Sequence, residues 1–167
     1  MLIRPEEEKD WTAVYAVNAS AFETPAEADL VNALRKRAHP VVSLVAEADG
    51  LVVGHIMFSP AYLTGDPDFK VMGLAPMAVA PEYRRRGVGS ALVRAGLERC
   101  KELGFSAVIV VGHPEYYPRF GFSPAAGFGI GCEYEVPEEA FMAVELQPAS
   151  LTGKSGTVKY HAAFSSA

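Results

Sequence analysis

Seven consecutive residues, Arg84-Arg85-Arg86-Gly87-Val88-Gly89-Ser90, carry the clearest chemical signal in this chain. Gly87 and Gly89 have no Cβ to hold an approaching oxyanion away, so a phosphate can reach the main-chain N–H groups there. The residues before the segment read as a strand and those after it as a helix. The segment is therefore a turn that feeds a helix N-terminus, whose free N–H groups and dipole attract anions. Three adjacent arginines add positive potential to a chain whose net charge is −5. A bare R-x-x-G-x-G is more often a solvated basic turn; here the flanking strand and helix favour a phosphate site.

Other glycine-rich sites fit less well. A dinucleotide fold asks for a third glycine three residues after Gly89, where Leu92 stands, and no GK[ST] is present for a P-loop. His39, His55, His113 and His161 are scattered, and neither Cys100 nor Cys132 has a Cys or His neighbour at ligand spacing, so no metal is expected. Both cysteines read as reduced core thiols. His55 sits among apolar strand residues and reads as a hydrogen-bonded structural histidine. His113 follows the C-terminal end of a strand, where ligands approach open α/β sheets; substrate contact and loop structure are both open for it.

The elements that must position the turn are legible on either side. Leu2-Ile3-Arg4 reads as a first strand, and Pro5 with Glu6 to Glu8 as a helix start. Trp11, Val14, Tyr15 and Asn18 follow at helical spacing. Thr24-Pro25-Ala26-Glu27 repeats the start signal, with Thr24 as N-cap and Glu27 placed for a capping box. Val41 to Ala48 and Leu51 to Leu63 flank Asp49-Gly50, the signature of a hairpin. After a polar turn at Gly65 to Asp68, Phe69 to Ala80 reads as a strand whose Gly73 and Pro76 require a bulge. Val88 to Leu103 is helical, with two apolar rows and Gly104 past its end. Ala107 to Val111 is a continuous apolar run, as in a strand covered on both faces beside a parallel neighbour. Strand, helix and strand make a βαβ unit around the basic turn. Strand-like pieces then recur near Phe128 to Tyr134, Ala140 to Leu146 and Thr157 to Ala163.

With 167 residues, half of them hydrophobic, residues 1–167 suit one domain with a full core. The acidic balance argues against general nucleic-acid binding, which needs many Lys and Arg on phosphates. No apolar stretch reaches the roughly 18 residues that span a bilayer, and the N-terminus has no apolar signal core. A cytoplasmic, unprocessed protein with no membrane partner is expected.

Arg84, Gly87 and Gly89 match in order the Q/R-x-x-G-x-G/A motif of the GNAT superfamily of N-acetyltransferases, which the chain resembles. Met77-Ala78-Val79 with Pro81-Glu82-Tyr83 belongs to the same likeness, and Tyr117-Pro118-Arg119-Phe120-Gly121-Phe122 looks like the family's Y-x-x-x-G-F ending. The likeness spans roughly residues 70 to 122. Gly112-His113-Pro114-Glu115 departs from it, being short and lacking the frequent Asn, so the fourth helix is expected as a single turn.

The resemblance implies an α/β (α+β) fold: one GNAT-like domain with a mixed, mostly antiparallel sheet, splayed central strands and helices on both faces. It implies acetyl-CoA as cosubstrate, its pantetheine arm pairing with the strand at Met77, Ala78 and Val79. Its pyrophosphate would rest on Arg84, Arg85, Arg86, Gly87, Val88, Gly89 and Ser90. An amine attacks the thioester directly, without a Ser or Cys nucleophile. The bulge would turn a backbone N–H near Met77 or Ala78 toward the thioester oxygen. Tyr117 would protonate the departing thiolate; its alternative role is packing beside Phe120 and Phe122, and Tyr116 competes for the catalytic role. His55, His113, Glu82 and Glu115 are candidates for a base, as is an ordered water chain. The acceptor would be a primary amine, and a homodimer is compatible with the likeness. Phe22, Tyr62 and Phe128 either line the acceptor pocket or fill the core. A noncatalytic acyl-CoA sensor and an interaction domain that binds phosphate incidentally are the rival readings.

Overall fold

In the computed structural model, which describes residues 1–166, the hairpin at Asp49-Gly50 organises a nine-stranded sheet. Both turn residues have positive φ, 52° and 78°, as a tight hairpin between right-twisted strands demands. It joins β2 (Val42–Ala48) to β3 (Leu51–Leu63), and β1 (Leu2–Pro5) pairs antiparallel with β2. β3 turns at Thr64-Gly65 into β4 (Asp66–Val79), so Asp66 to Asp68 belong to a strand rather than to the expected polar turn. The reason is register: Leu63 already pairs with Asp66.

Helix α3 (Val88–Glu102) follows β4 and leads to β5 (Ala107–Val111), which pairs parallel with β4 and completes the βαβ unit. The C-terminal part adds β6 (Ser123–Pro124), β7 (Ile130–Cys132), β8 (Phe141–Glu145) and β9 (Gly156–Lys159). The strand order is β1-β2-β3-β4-β5-β8-β6, with β9 bridging β3 and β7. Among the described residues only the β4–β5 and β7–β9 pairs are parallel.

Alternation along the strands sends opposite faces to different helices. Ile56, Phe58 and Leu74 pack with Val88, Leu92 and Val93 of α3. On the other face Val45 and Met57 pack with Val14 of α1 (Trp11–Ala21) and with Leu30, Val31 and Leu34 of α2 (Ala26–Arg37). Helices therefore cover both faces.

Two helix starts differ from the sequence expectation. Pro5 is held in β1, paired with Leu44, and α1 begins only at Trp11 after a short 3-10 turn at Glu8–Asp10. Arg4 fixes this entry: its guanidinium donates to Asp10 at 2.7 and 3.0 Å and to Glu47 at 2.9 Å. For α2, Thr24 Oγ1 accepts from the Ala26 N–H at 3.3 Å, but Pro25 occupies the cap position and Glu27 closes no capping box.

Candidate active site

The bulge foreseen from Gly73 and Pro76 is present. Ile56 pairs with Met77 and Phe58 with Leu74, so β4 spends one more residue than β3 on this interval. Pairing of β4 with β5 stops near the same place: it covers Val71, Met72 and Gly73 against Ala107, Val108 and Ile109 and no further. Beyond it the two strands diverge, and the β4 edge at Met77 to Val79 has no β5 partner.

A cleft of about 550 Å³ opens onto that unpaired edge, with Met77, Ala78 and Val79 in its wall. Its other wall is the basic turn and the start of α3, through Arg84, Arg85, Gly87, Val88, Gly89 and Ser90. Arg85 and Gly87 both have positive φ, 63° and 81°. Glycine adopts that region freely, while a non-glycine residue there is strained, a feature found at ligand-binding turns. Among the described residues no side chain caps α3, which leaves its first N–H groups free for an anion. A larger hollow, about 640 Å³, lies against Trp11, Tyr15 and Arg35 of the outer helices, but it includes none of the turn.

Arg86 is the one residue of the basic turn outside the cleft lining; its guanidinium lies 5.4 Å from the Tyr83 ring centroid. Five cleft residues had no firm place in the sequence reading: Ala21, Phe22, Tyr83, Tyr116 and Arg119. Phe22 joins the cleft because α1 ends beside it, whereas Tyr62 is exposed elsewhere and Phe128 packs into the C-terminal core.

The single turn expected after β5 is a 3-10 turn, Tyr117–Phe120. Its period of three puts Tyr116 and Arg119 on one side, and these line the cleft while Tyr117 turns inward. Tyr117 is 8% exposed and packs edge-on against Tyr116 and Phe122, with ring centroids at 5.1 and 5.6 Å. Burial pushes its phenol up to about 12, with Tyr116 adding a smaller push. Its hydroxyl makes no side-chain hydrogen bond, yet it is not among the fully enclosed unpaired polar atoms, which are Asn18 Oδ1, Glu27 Oε1 and Ser59 Oγ among the described residues. The Tyr116 hydroxyl lies 3.4 Å from Ser90 Oγ, beside the start of α3.

The base candidates separate. His113, Glu82 and Glu115 are exposed and outside the cleft lining. His55 is fully enclosed, on the α1 face of β3, and also outside the lining. Asn18 Nδ2 donates to the Val14 carbonyl at 3.0 Å and to His55 Nδ1 at 3.0 Å, so the His55 proton sits on Nε2 and is donated to Ser43 Oγ at 2.9 Å. Burial, reinforced by the charge of Arg35, lowers His55 to about 3. The folded protein thus holds this imidazole neutral where the unfolded chain would protonate it. Stability from His55 is complete above pH about 6.5 and falls as pH drops from there toward about 3. Denaturant titrations across this window should show a loss of a few kcal/mol, and His55→Gln should flatten the slope.

A family model described as an acetyltransferase (GNAT) domain matches residues 2–125. This chain belongs to the GNAT family of N-acetyltransferases. The acetyltransferase is 39% identical over 165 residues to the Escherichia coli K12 protein named uncharacterized N-acetyltransferase YhbS, covering 98% of each chain. The crystal structure of Escherichia coli YhbS in complex with CoA superposes with a TM-score of 0.92 at 38% identity, over 98% of this chain and 91% of that one. A GNAT family acetyltransferase from Brucella melitensis in complex with acetyl-CoA gives 0.80 at 32% identity, over 98% and 97%. Among the described residues of the acetyltransferase, no helix is long and apolar enough to cross a membrane.

Proposed function

We propose that the protein transfers an acetyl group from acetyl-CoA to a primary amine, with the cosubstrate lying along the divergence of β4 and β5. One observation carries this reading: a strand edge without a partner, at Met77 to Val79, opens into the same cleft as the uncapped, arginine-flanked start of α3. The turn suits the pyrophosphate and the strand edge suits the amide-bearing pantetheine arm. CoA and acetyl-CoA in the structures of YhbS and the Brucella protein support it.

Acetyl-CoA supplies an activated acyl group; the protein positions it and manages charge. A main-chain N–H of the bulged stretch at Met77 or Ala78 stabilises negative charge developing on the thioester oxygen. Tyr117, whose hydroxyl is not fully enclosed, is protonated at neutral pH as any phenol is, and it delivers that proton to the leaving thiolate. Tyr116 stands beside Ser90 at the phosphate end and serves binding. Water leading out of the cleft carries away the proton lost by the amine. Free Cys100 and Cys132 agree with a reducing, cytoplasmic setting.

The test is calorimetric titration with acetyl-CoA, desulfo-CoA and ADP, followed by thiol release with a panel of amines. The CoA ligands should bind selectively. Tyr117→Phe should keep that affinity and lower turnover by about a hundredfold, while Tyr116→Phe should weaken binding more than turnover. Binding of ADP as tight as that of acetyl-CoA would argue for an incidental phosphate site.

A further inference from the structure

The arginines of the protein fall into two groups. Arg4 pairs with Asp10 and Glu47, Arg35 with Glu6, and Arg99 with Glu102. Arg119 has no carboxylate within ion-pair distance and no side-chain hydrogen bond among the described residues. Its guanidinium is instead stacked 4.8 Å from the Tyr116 ring centroid. Stacking fixes the plane of the fork and leaves its edge N–H groups free. The Tyr116 hydroxyl is in turn 3.4 Å from Ser90 Oγ at the start of α3, so the ring that carries the fork stands beside the phosphate turn.

Arg119 also borders a second hollow, about 380 Å³, beside α3, and is the residue that the two linings share. Arg94 and Lys101 line it, Arg94 lying 5.0 Å from the Phe120 ring centroid, together with the carboxylates of Glu98 and Glu145. Glu145 is engaged by the Leu151 N–H at 2.9 Å. Arginines therefore line both hollows, with Arg84 and Arg85 at the phosphate turn, Arg119 shared between the two, and Arg94 in the second. A ligand held at the turn by a pyrophosphate and bearing one more phosphate on its outer end would meet Arg119 there.

Resting on the cosubstrate reading above, we propose that Arg119, preoriented on Tyr116, binds the ribose 3′-phosphate of CoA and makes the cleft select CoA over 3′-dephospho-CoA. The neutral edge of the adenosine needs no such group; a dianionic monoester does, and a forked guanidinium matches its oxygens better than an ammonium would.

Calorimetry of both ligands against the wild type, Arg119→Gln and Arg119→Lys tests this. The wild type should prefer CoA over 3′-dephospho-CoA by about tenfold, one charge-assisted pair's worth. Arg119→Gln should lose that factor for CoA alone and keep its affinity for 3′-dephospho-CoA, and Arg119→Lys should fall between. Equal losses for both ligands, or unchanged affinity for both, would overturn the assignment while leaving the cosubstrate reading intact. A wild type that binds neither ligand removes both readings. Arg119 is exposed, so its substitution leaves the core untouched.

Discussion

A Gly89→Trp variant is expected to bind acetyl-CoA and CoA at least about a hundredfold more weakly than the wild type, with the fold preserved. Gly89 is the second residue of α3, and a Cβ built there points at the Tyr116 hydroxyl, 3.0 Å away, with the Met77 methyl at 3.7 Å. Any side chain at 89 therefore grows into the cleft, between the phosphate turn and the unpaired edge of β4. An indole would cover the N–H groups at the start of α3 and block the way from turn to strand. Losing several charge-assisted hydrogen bonds at once accounts for the size of the effect. The backbone tolerates the change, since Gly89 is helical and half-buried. Gly89→Ala should be far milder, because Tyr116 has only to yield by a few tenths of an ångström. Calorimetry decides the point, with thermal unfolding as the control. Wild-type affinity in the Trp variant would remove the turn from the cosubstrate site.

Much of this site was readable because its signals are local. The turn needs small residues at Gly87 and Gly89, and the helix that begins there shows its period directly. The bulge announced itself through Gly73 and Pro76, two residues that regular pairing cannot use together. The hairpin at Asp49-Gly50 and the buried run at Ala107 to Val111 are equally short-range features. Polar features set by partners distant in sequence were misjudged. Pro5 looked like a helix start, yet a clamp from Arg4 to Asp10 and Glu47 keeps it in a strand. Asp66 to Asp68 looked like a turn, yet the register of β3 draws them into β4.

The tyrosines show the same limit at the scale of one side chain. Spacing to Gly121 singles out Tyr117 but says nothing of which ring faces the cleft. That depends on the segment being a 3-10 turn, whose three-residue period sends Tyr116 outward with Arg119 and Tyr117 inward against Gly112. A Cβ at Gly112 would lie 2.3 Å from the Tyr117 ring, so this glycine makes the room for Tyr117, a relation visible only once β5 and the turn are folded together. His55 needed the fold in a different way. The sequence suggested a structural histidine, but its partners Asn18 and Ser43 come from α1 and β2.

A second glycine carries the largest expected effect on stability. In α3 the apolar rows Val88, Leu92, Ala95 and Val93, Leu97, Cys100 flank Gly96, which is buried. A Cβ at Gly96 would lie 2.1 Å from Cε1 and 2.5 Å from Cζ of Phe58. Phe58 is itself fully enclosed in the middle of β3, so its ring has nowhere to retreat without moving the sheet or lifting the helix. Two terms then oppose each other. Replacing a mid-helix glycine gains up to about 1 kcal/mol for alanine and less for valine. Overpacking a close-fitted core costs about 1–3 kcal/mol, and more when a branched side chain meets a rigid ring. The clash wins, and Gly96→Val is expected to destabilise the protein by about 3 kcal/mol, a fall in Tm of roughly 10 °C for a chain of this size. Phe58→Leu in the same chain should recover part of the loss, a coupling that a double-mutant cycle measures. A Tm unchanged in Gly96→Val would mean that α3 does not sit this close to β3. The start of α3 would then be placed differently against β4, and the width of the cleft between the turn and Met77 would change with it.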